Sequence, residues 1–173
     1  MVLMAEPILK VVEKLRREEM KKREKSKIVI LSAKGRQFNQ RMAYQWAKRY
    51  NRLILISGRY EGIDERVRQI LKAEEISIGP YVLTDGDVAA MAVISAVARL
   101  VPGVIKLKSL AEESHWNLIQ KREIRNTTER GLEYPHYTRP EVLAYHGRKY
   151  RVPAVLLSGN HQRIAAWRGV HGG

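Results

Sequence analysis

The stretch KIVILSAKGRQFNQRMAYQWAKRYNRLILISGRYEG, Lys27 to Gly62, decides the fold. Lys27–Leu31 is a short β-branched apolar run closed by Ser32–Gly35, which predicts a buried strand entering a loop. Met42, Ala43, Trp46, Ala47 and Tyr50 then recur on one helical face, with Asn39 placed to cap the helix. Leu53–Ile56 is a second apolar run, and it ends in the glycine-bearing segment Ser57–Gly62. Ile63, Val67, Ile70 and Leu71 continue as a helix whose first turn holds Asp64 and Glu65, where carboxylates suit the helix dipole. Alternating strands and helices of this kind imply a parallel sheet.

Outward toward the start, Glu13–Lys27 holds twelve charged residues in fifteen, which suits the exposed end of a helix begun at Glu6 or Pro7. Ile8, Leu9, Val12 and Leu15 form its apolar stripe. In the other direction Tyr81–Leu83 reads as a third strand, and Asp87–Val101 as a helix so uniformly apolar that it is expected to be buried nearly all round. Pro102 and Gly103 end it. Residues 106–151 lack periodicity and read as loop-rich. Val152–Leu157 reads as another strand, Asn160 as the cap of a short helix through Trp167, and Gly169–Gly173 as a tail.

Thirty-two Lys and Arg against 18 Asp and Glu in 173 residues give a net charge of +14, which argues for a polyanionic partner. The alternative is a merely soluble basic domain. Without cysteine there are no disulfides, thiolate metal sites or cysteine nucleophiles, and zinc is not expected. No apolar run reaches the roughly 20 residues that span a bilayer, and Met1 opens no signal-peptide pattern. A cytosolic protein without a membrane partner is the expectation.

The nucleotide-binding and hydrolase motifs GxGxxG, Walker A, HExxH and GxSxG are all missing. Three loops follow the expected strands instead, where ligands of α/β folds bind: Ser32–Gly35, Ser57–Gly62 and Ser77–Gly86. Each alone could be an ordinary turn. A turn, however, has no use for Tyr60 and Glu61 in fixed relation to the glycines of SGRYEG. Arg99 is the lone charge inside the apolar helix, and either a helix-end cation or a site residue answers to it. PHYTRP, Pro135–Pro140, sets His136, Tyr137 and Arg139 between prolines; it suits RNA contact or a rigid packing loop. The five histidines form no metal-like cluster.

In order along the chain stand LSAKGRQFNQ, ISGRYEGIDERV, SIGPYVLTDG, AVARLVPGV, YPHYTRPEV and LLSGNHQRIAAWR. Together they resemble the TrmD family, the tRNA (guanine-N1)-methyltransferases of the SPOUT class, from about Met1 to Arg168. The resemblance implies an α/β fold, a parallel sheet flanked by helices with a trefoil knot. It also implies a homodimer with shared sites, S-adenosylmethionine bound by the knot loops, and a tRNA whose target guanine lies immediately 3′ of the anticodon. Carried over, Leu31, Gly58, Tyr60, Ser77, Ile78, Gly79, Tyr81, Leu83 and Gly86 line the cofactor pocket. Arg59, Glu61, His136 and Arg139 meet the substrate, with Glu61 recognising the guanine, and Arg99 stands near the reacting base. The family's basic aspartate precedes a Ser-aromatic pair; here AEESHW offers Glu113, with Glu112 beside it. Magnesium dependence is a further family expectation, with no visible ligand set.

The resemblance divides the chain into a knotted cofactor domain over 1–105, a loop-rich linker with a basic insertion over 106–151, and the start of a tRNA-binding region over 152–173. Relative to the family pattern the chain is expected to be shortened at both ends, lacking the first strand and the helical tRNA-gripping domain. Asn117–Arg130 looks inserted, and Asp85, Gly86 and Asp87 stand where two glycines and a glutamate are usual.

Guanine N1 carries a proton at neutral pH, so methylation needs a carboxylate base and a cation for the charge moving onto O6; Glu113 and Arg99 are of those types. The competing readings are a noncatalytic RNA-binding or dimerisation fragment, and a SPOUT enzyme acting on another RNA. If Lys121, Arg122, Arg125 and Arg130 contact phosphate, RNA affinity falls steeply between about 50 and 200 mM salt. Filter binding across that range checks it, and a flat profile would assign the charge to solubility.

Overall fold

The computed structural model describes residues 1–106, 114–115 and 132–172, which belong to two compact units, Met1–Lys106 and Leu107–Gly173. The first unit runs α1 (Ala5–Lys22), β1 (Ser26–Gln37), α2 (Gln40–Arg49), β2 (Arg52–Ser57), α3 (Glu65–Leu71), β3 (Glu74–Ser77) and α4 (Asp87–Ala98). Its three strands are all parallel, in the order β2-β1-β3. The chain thus steps from β1 to β2 in one direction and from β2 across β1 to β3 in the other. Since parallel crossovers are right-handed, α2 and α3 are sent to opposite faces.

That topology buries β1 on both sides. Ile28 and Ile30 join Ile54, Ile56, Val12 of α1, and Val67 and Leu71 of α3 in one cluster. Side-chain alternation turns Val29 and Leu31 to the other face, and both are buried. Met42, Ala43 and Trp46 of α2 and Ala89, Val93 and Val97 of α4, two helices that pack together, are buried outside the first cluster. α2 starts as its sequence predicts: the Asn39 side chain accepts from the Met42 amide at 3.0 Å. Asp64 caps α3 in the same way through the Arg66 amide at 2.9 Å. Bidentate contact with the Arg66 guanidinium helps hold the Asp64 carboxyl at a pKa of about 2.

Three elements of this unit differ from expectation. β1 extends past Leu31 to Gln37, with Ser32–Gly35 forming an irregularity inside it: Leu31 and Arg36 both pair with Ile76. The third strand is Glu74–Ser77, not Tyr81–Leu83; Glu74 is neutralised by Lys27 at 2.6 Å, and Tyr81 and Val82 are exposed in irregular chain. α4 ends at Ala98 and is not buried all round in the single chain, because Val88, Met91 and Ile94 are each more than half exposed.

The second unit differs from expectation in three places. Strands β4 (Val142–Tyr145) and β5 (Arg148–Arg151) form an antiparallel hairpin where loop was expected. Val152–Leu157, expected as a strand, is instead a short turn of helix, α5 (Ala154–Leu157), because Pro153 lacks a ladder N–H and suits a helix start. α6 (His161–His171) is capped by Asn160 as expected but runs past Trp167, taking Gly169 into the helix.

The tightest backbone approach in the sheet is at Gly35, where an added Cβ would stand 2.5 Å from the Ile76 nitrogen. Gly35→Ala therefore must push β3 away from β1, and should cost about 1–3 kcal/mol or more in urea denaturation. Gly169→Ala meets nothing within 4 Å in a helix interior and should stabilise by roughly 0.5–1 kcal/mol.

Candidate functional site

Parallel strands end on the same side, so Leu31, Ser57 and Ser77 deliver three loops to one edge of the sheet. There they enclose a cleft of about 420 Å³. Its lining includes Leu31, Gly58, Arg59, Tyr60, Glu61, Ser77, Ile78, Tyr81, Leu83 and Gly86. Eight of the nine residues expected to bind the cofactor are thereby brought together, along with two of the four assigned to the substrate. Gly79 does not line the cleft but lies buried behind it, and a side chain there would run into the Tyr81 ring.

Glycines let the loops close on one another. The Gly86 amide donates to the Gly58 carbonyl at 3.0 Å, and a Cβ on Gly86 would stand 2.9 Å from Ser57 Oγ. Buried Ser77 fastens the third loop: its hydroxyl donates to the Gly79 carbonyl at 2.8 Å and accepts from the Gly79 amide at 3.2 Å. The Tyr81 hydroxyl donates to the Ile78 carbonyl at 3.3 Å. Tyr60 adopts φ 57°, a left-handed conformation that costs a non-glycine residue on the order of 1 kcal/mol and is found most often in functional loops.

The charges at the rim are paired. Asp87, the first residue of α4, accepts from Ser57 Oγ at 2.5 Å and from Arg59 Nη2 at 2.6 Å. The Ser57 hydroxyl, followed by the Arg59 guanidinium, holds the Asp87 carboxyl below its ordinary range. Glu61 pairs with the Met1 ammonium, and Leu3 and Ile63 form a parallel bridge beside it. On another wall Arg68 reaches Glu65 at 2.6 Å and Glu75 at 3.7 Å, with Lys34 at 3.6 and 3.5 Å from the same two carboxylates. Sequence reasoning assigned no role to Asp87. Its partners lie 30 and 28 residues away, and the only signal was its departure from the family pattern.

Arg99 does not line this cleft. It is the C-cap of α4, and the twelve-residue step from Asp87 amounts to about 18 Å of helix rise. Its partial burial and its place on the helix end fit the helix-end cation as well as a site residue. Glu112 and Glu113 lie outside the described residues, as do Lys121, Arg122, Arg125 and Arg130. Ser114, which follows Glu113, exchanges hydrogen bonds with Glu133: the Ser114 amide donates to Glu133 Oε1 at 2.9 Å and the Glu133 amide to Ser114 Oγ at 3.0 Å.

In the second unit His136 and Arg139 line a separate hollow with Tyr134, Leu156, Ile164 and Arg168. His136 stacks on Tyr134 with centroids 4.8 Å apart, and the Arg168 guanidinium lies over the same Tyr134 ring at 4.5 Å. The PHYTRP loop is therefore packed in part against α6, as its rigid-loop reading requires, while Arg139 remains exposed. Among the described residues no group of three or more histidines and carboxylates is placed to hold a metal, and no helix is long and apolar enough to cross a membrane.

Residues 1–172 match the family described as tRNA (Guanine-1)-methyltransferase TrmD. A protein of Thermomicrobium roseum named tRNA (guanine-N(1)-)-methyltransferase is 50% identical over 168 residues, covering 97% of this chain and 55% of the relative. Proteins of the same name from Carboxydothermus hydrogenoformans and Dictyoglomus turgidum are 46% and 47% identical, each across 97% of this chain and 58% and 59% of their own lengths. The chain thus spans a little over half the length of these curated relatives. With a match over nearly every residue and the family's loops gathered at one sheet edge, the chain belongs to the tRNA (guanine-1) methyltransferase family TrmD.

Proposed function

We propose that the chain transfers a methyl group from S-adenosylmethionine to N1 of the tRNA guanine immediately 3′ of the anticodon, as a cytoplasmic homodimer with a trefoil-knotted fold. The observation that carries this reading is the cleft in which Gly58, Tyr60, Ile78, Tyr81, Leu83 and Gly86 converge from separate loops. Its volume of about 420 Å³ is within the range of small-molecule sites. Gly58 and Gly86 present backbone rather than side chains to it, as a nucleoside held by main-chain groups requires. When bound there, S-adenosylmethionine supplies an electrophilic methyl group.

The chain's own residues then have three tasks. Ser57, Arg59 and Asp87 fix the β2 loop against α4, so that Tyr60 and Glu61 keep their places at the rim. Glu61 accepts from the guanine edge. Glu113 takes the N1 proton while Arg99 offsets charge at O6. No described residues gather to hold magnesium, and no step is routed through it.

Arg99 stands far along α4 from its own chain's cleft, which supports a site completed by a second copy. The exposed Val88, Met91 and Ile94 on the same helix give that copy an apolar face to cover.

Tritium transfer to unmodified tRNA, with the modified nucleotide mapped, tests the reading; no transfer to that guanine would overturn it. Glu113→Gln should slow single-turnover transfer by roughly 10²-fold or more with cofactor affinity unchanged, while Glu112→Gln stays near parent. Mixing inactive Glu61→Gln and Arg99→Lys subunits should restore about a quarter of parent activity, because half the dimers are mixed and each keeps one intact site. Asp87→Ala should weaken cofactor binding by calorimetry. Because the Asp87 pKa is depressed, its contribution is complete above the ordinary carboxylate value of 3.8 and disappears only as pH falls below that. Parent affinity should therefore show no loss from this group between about pH 8 and 5.

A further inference from the structure

From Val142 to Gly173 the sequence has five Arg and Lys and no Asp or Glu. Its first element is the β4–β5 hairpin, with register Leu143 opposite Tyr150 and Tyr145 opposite Arg148. Residues directly opposite, and residues two apart, share a face. One face therefore carries Leu143, Tyr145, Arg148 and Tyr150, and the other Val142, Ala144, Lys149 and Arg151. On the first face Leu143 is 54%, Tyr145 61% and Tyr150 52% exposed. The turn is tight, with His146 at φ 46° and Gly147 at φ 74°, so the two strands are held in one register out to the tip.

Tyr145 meets the His146 ring edge-on at 4.2 Å, yet more than half of each tyrosine stays exposed on the ribbon among the described residues. A purely electrostatic partner would need the cations and not the rings. A purely apolar partner would be repelled by three cations with no carboxylate in the hairpin. Two rings beside one cation, Arg148, on the same face of a rigid strand pair match a ligand with planar faces joined by phosphates, which is unpaired RNA. We propose that the β4–β5 hairpin is an RNA-contact element, on which unpaired bases stack against Tyr145 and Tyr150 while Arg148, on the same face, holds the adjoining phosphate. This rests on the RNA-substrate reading above and adds to it a contact outside the cleft.

The two kinds of contact have separate signatures. With the full chain and a fluorescein-labelled single-stranded oligoadenylate, Tyr145→Thr with Tyr150→Thr should weaken binding by about tenfold or more and leave the salt slope unchanged. Threonine keeps the strand preference, and the Phe pair should restore affinity. Arg148→Gln should make the slope of log affinity against log salt shallower by about 0.7, the value for one phosphate contact on a single strand. A duplex of equal length should not respond to the tyrosines. Parent affinity in both tyrosine variants would overturn the proposal even if the chain methylates tRNA. Tyrosine-dependent oligoadenylate binding by a chain that transfers no methyl group would uphold it while the proposed function failed. Loss of binding to phosphatidylserine vesicles, with oligoadenylate binding unaffected, would overturn it in favour of an anionic membrane surface.

Discussion

Everything in the first unit depends on β1 lying between two parallel partners. A strand paired on both edges and covered on both faces has no room for polar side chains over Ile28–Leu31, and it has none. Parallel pairing on each side then forces β2 and β3 to end where β1 reaches Leu31 and the residues after it. The cleft is a consequence of this register. Three chain segments that leave a sheet at one edge must turn there, and their backbone groups are freed from the ladder at the point where a ligand can take them up.

Close approach of those loops depends on what is left out as much as on what is present. Gly35 lets β3 return to β1 after the Ser32–Gly35 irregularity, and Gly86 lets α4 begin against the Ser57–Gly58 peptide. Asp87 adds the electrostatic half of the same junction. Its carboxylate sits at a helix start, where the dipole favours negative charge, and binds the side chains of Ser57 and Arg59. The short Asp87 side chain reaches both partners where Gly86 brings the two backbones together.

How much of this was legible in the sequence follows from the range over which each signal acts. The caps at Asn39 and Asn160 and the apolar runs of β1 and β2 are local, and they read correctly, whereas Asp64, expected inside the first turn of α3, is its cap. β3 was hidden because two of its four residues are glutamates, whose charge is balanced by Lys27 from the neighbouring strand and Lys34 from the loop. The hairpin was hidden because both faces carry cations, leaving no alternation between apolar and polar residues to detect. The composition of α4 predicted a helix but not its exposure, since periodicity is absent when nearly every position is apolar. The cleft-forming glycines and Tyr60 were legible through the resemblance, whereas the Asp87 clamp joins residues about 30 apart and leaves no local trace.

Charge is divided unevenly along the chain, and the division bears on how a polyanion would be handled. At the cleft, Arg59, Lys34 and Arg68 are each bound to carboxylates, so cations at the rim are spent on holding the loops rather than offered to phosphate. The last 32 residues carry cations with no carboxylate at all. A cleft with balanced charge can discriminate a neutral base edge through directed hydrogen bonds, where unpaired cations would bind any phosphate that entered. Sequence-independent attraction is better placed on a separate surface. The physical requirement for selectivity at one base edge and that for affinity along a charged backbone oppose each other within a single pocket, and in the proposed reading they lie on different elements.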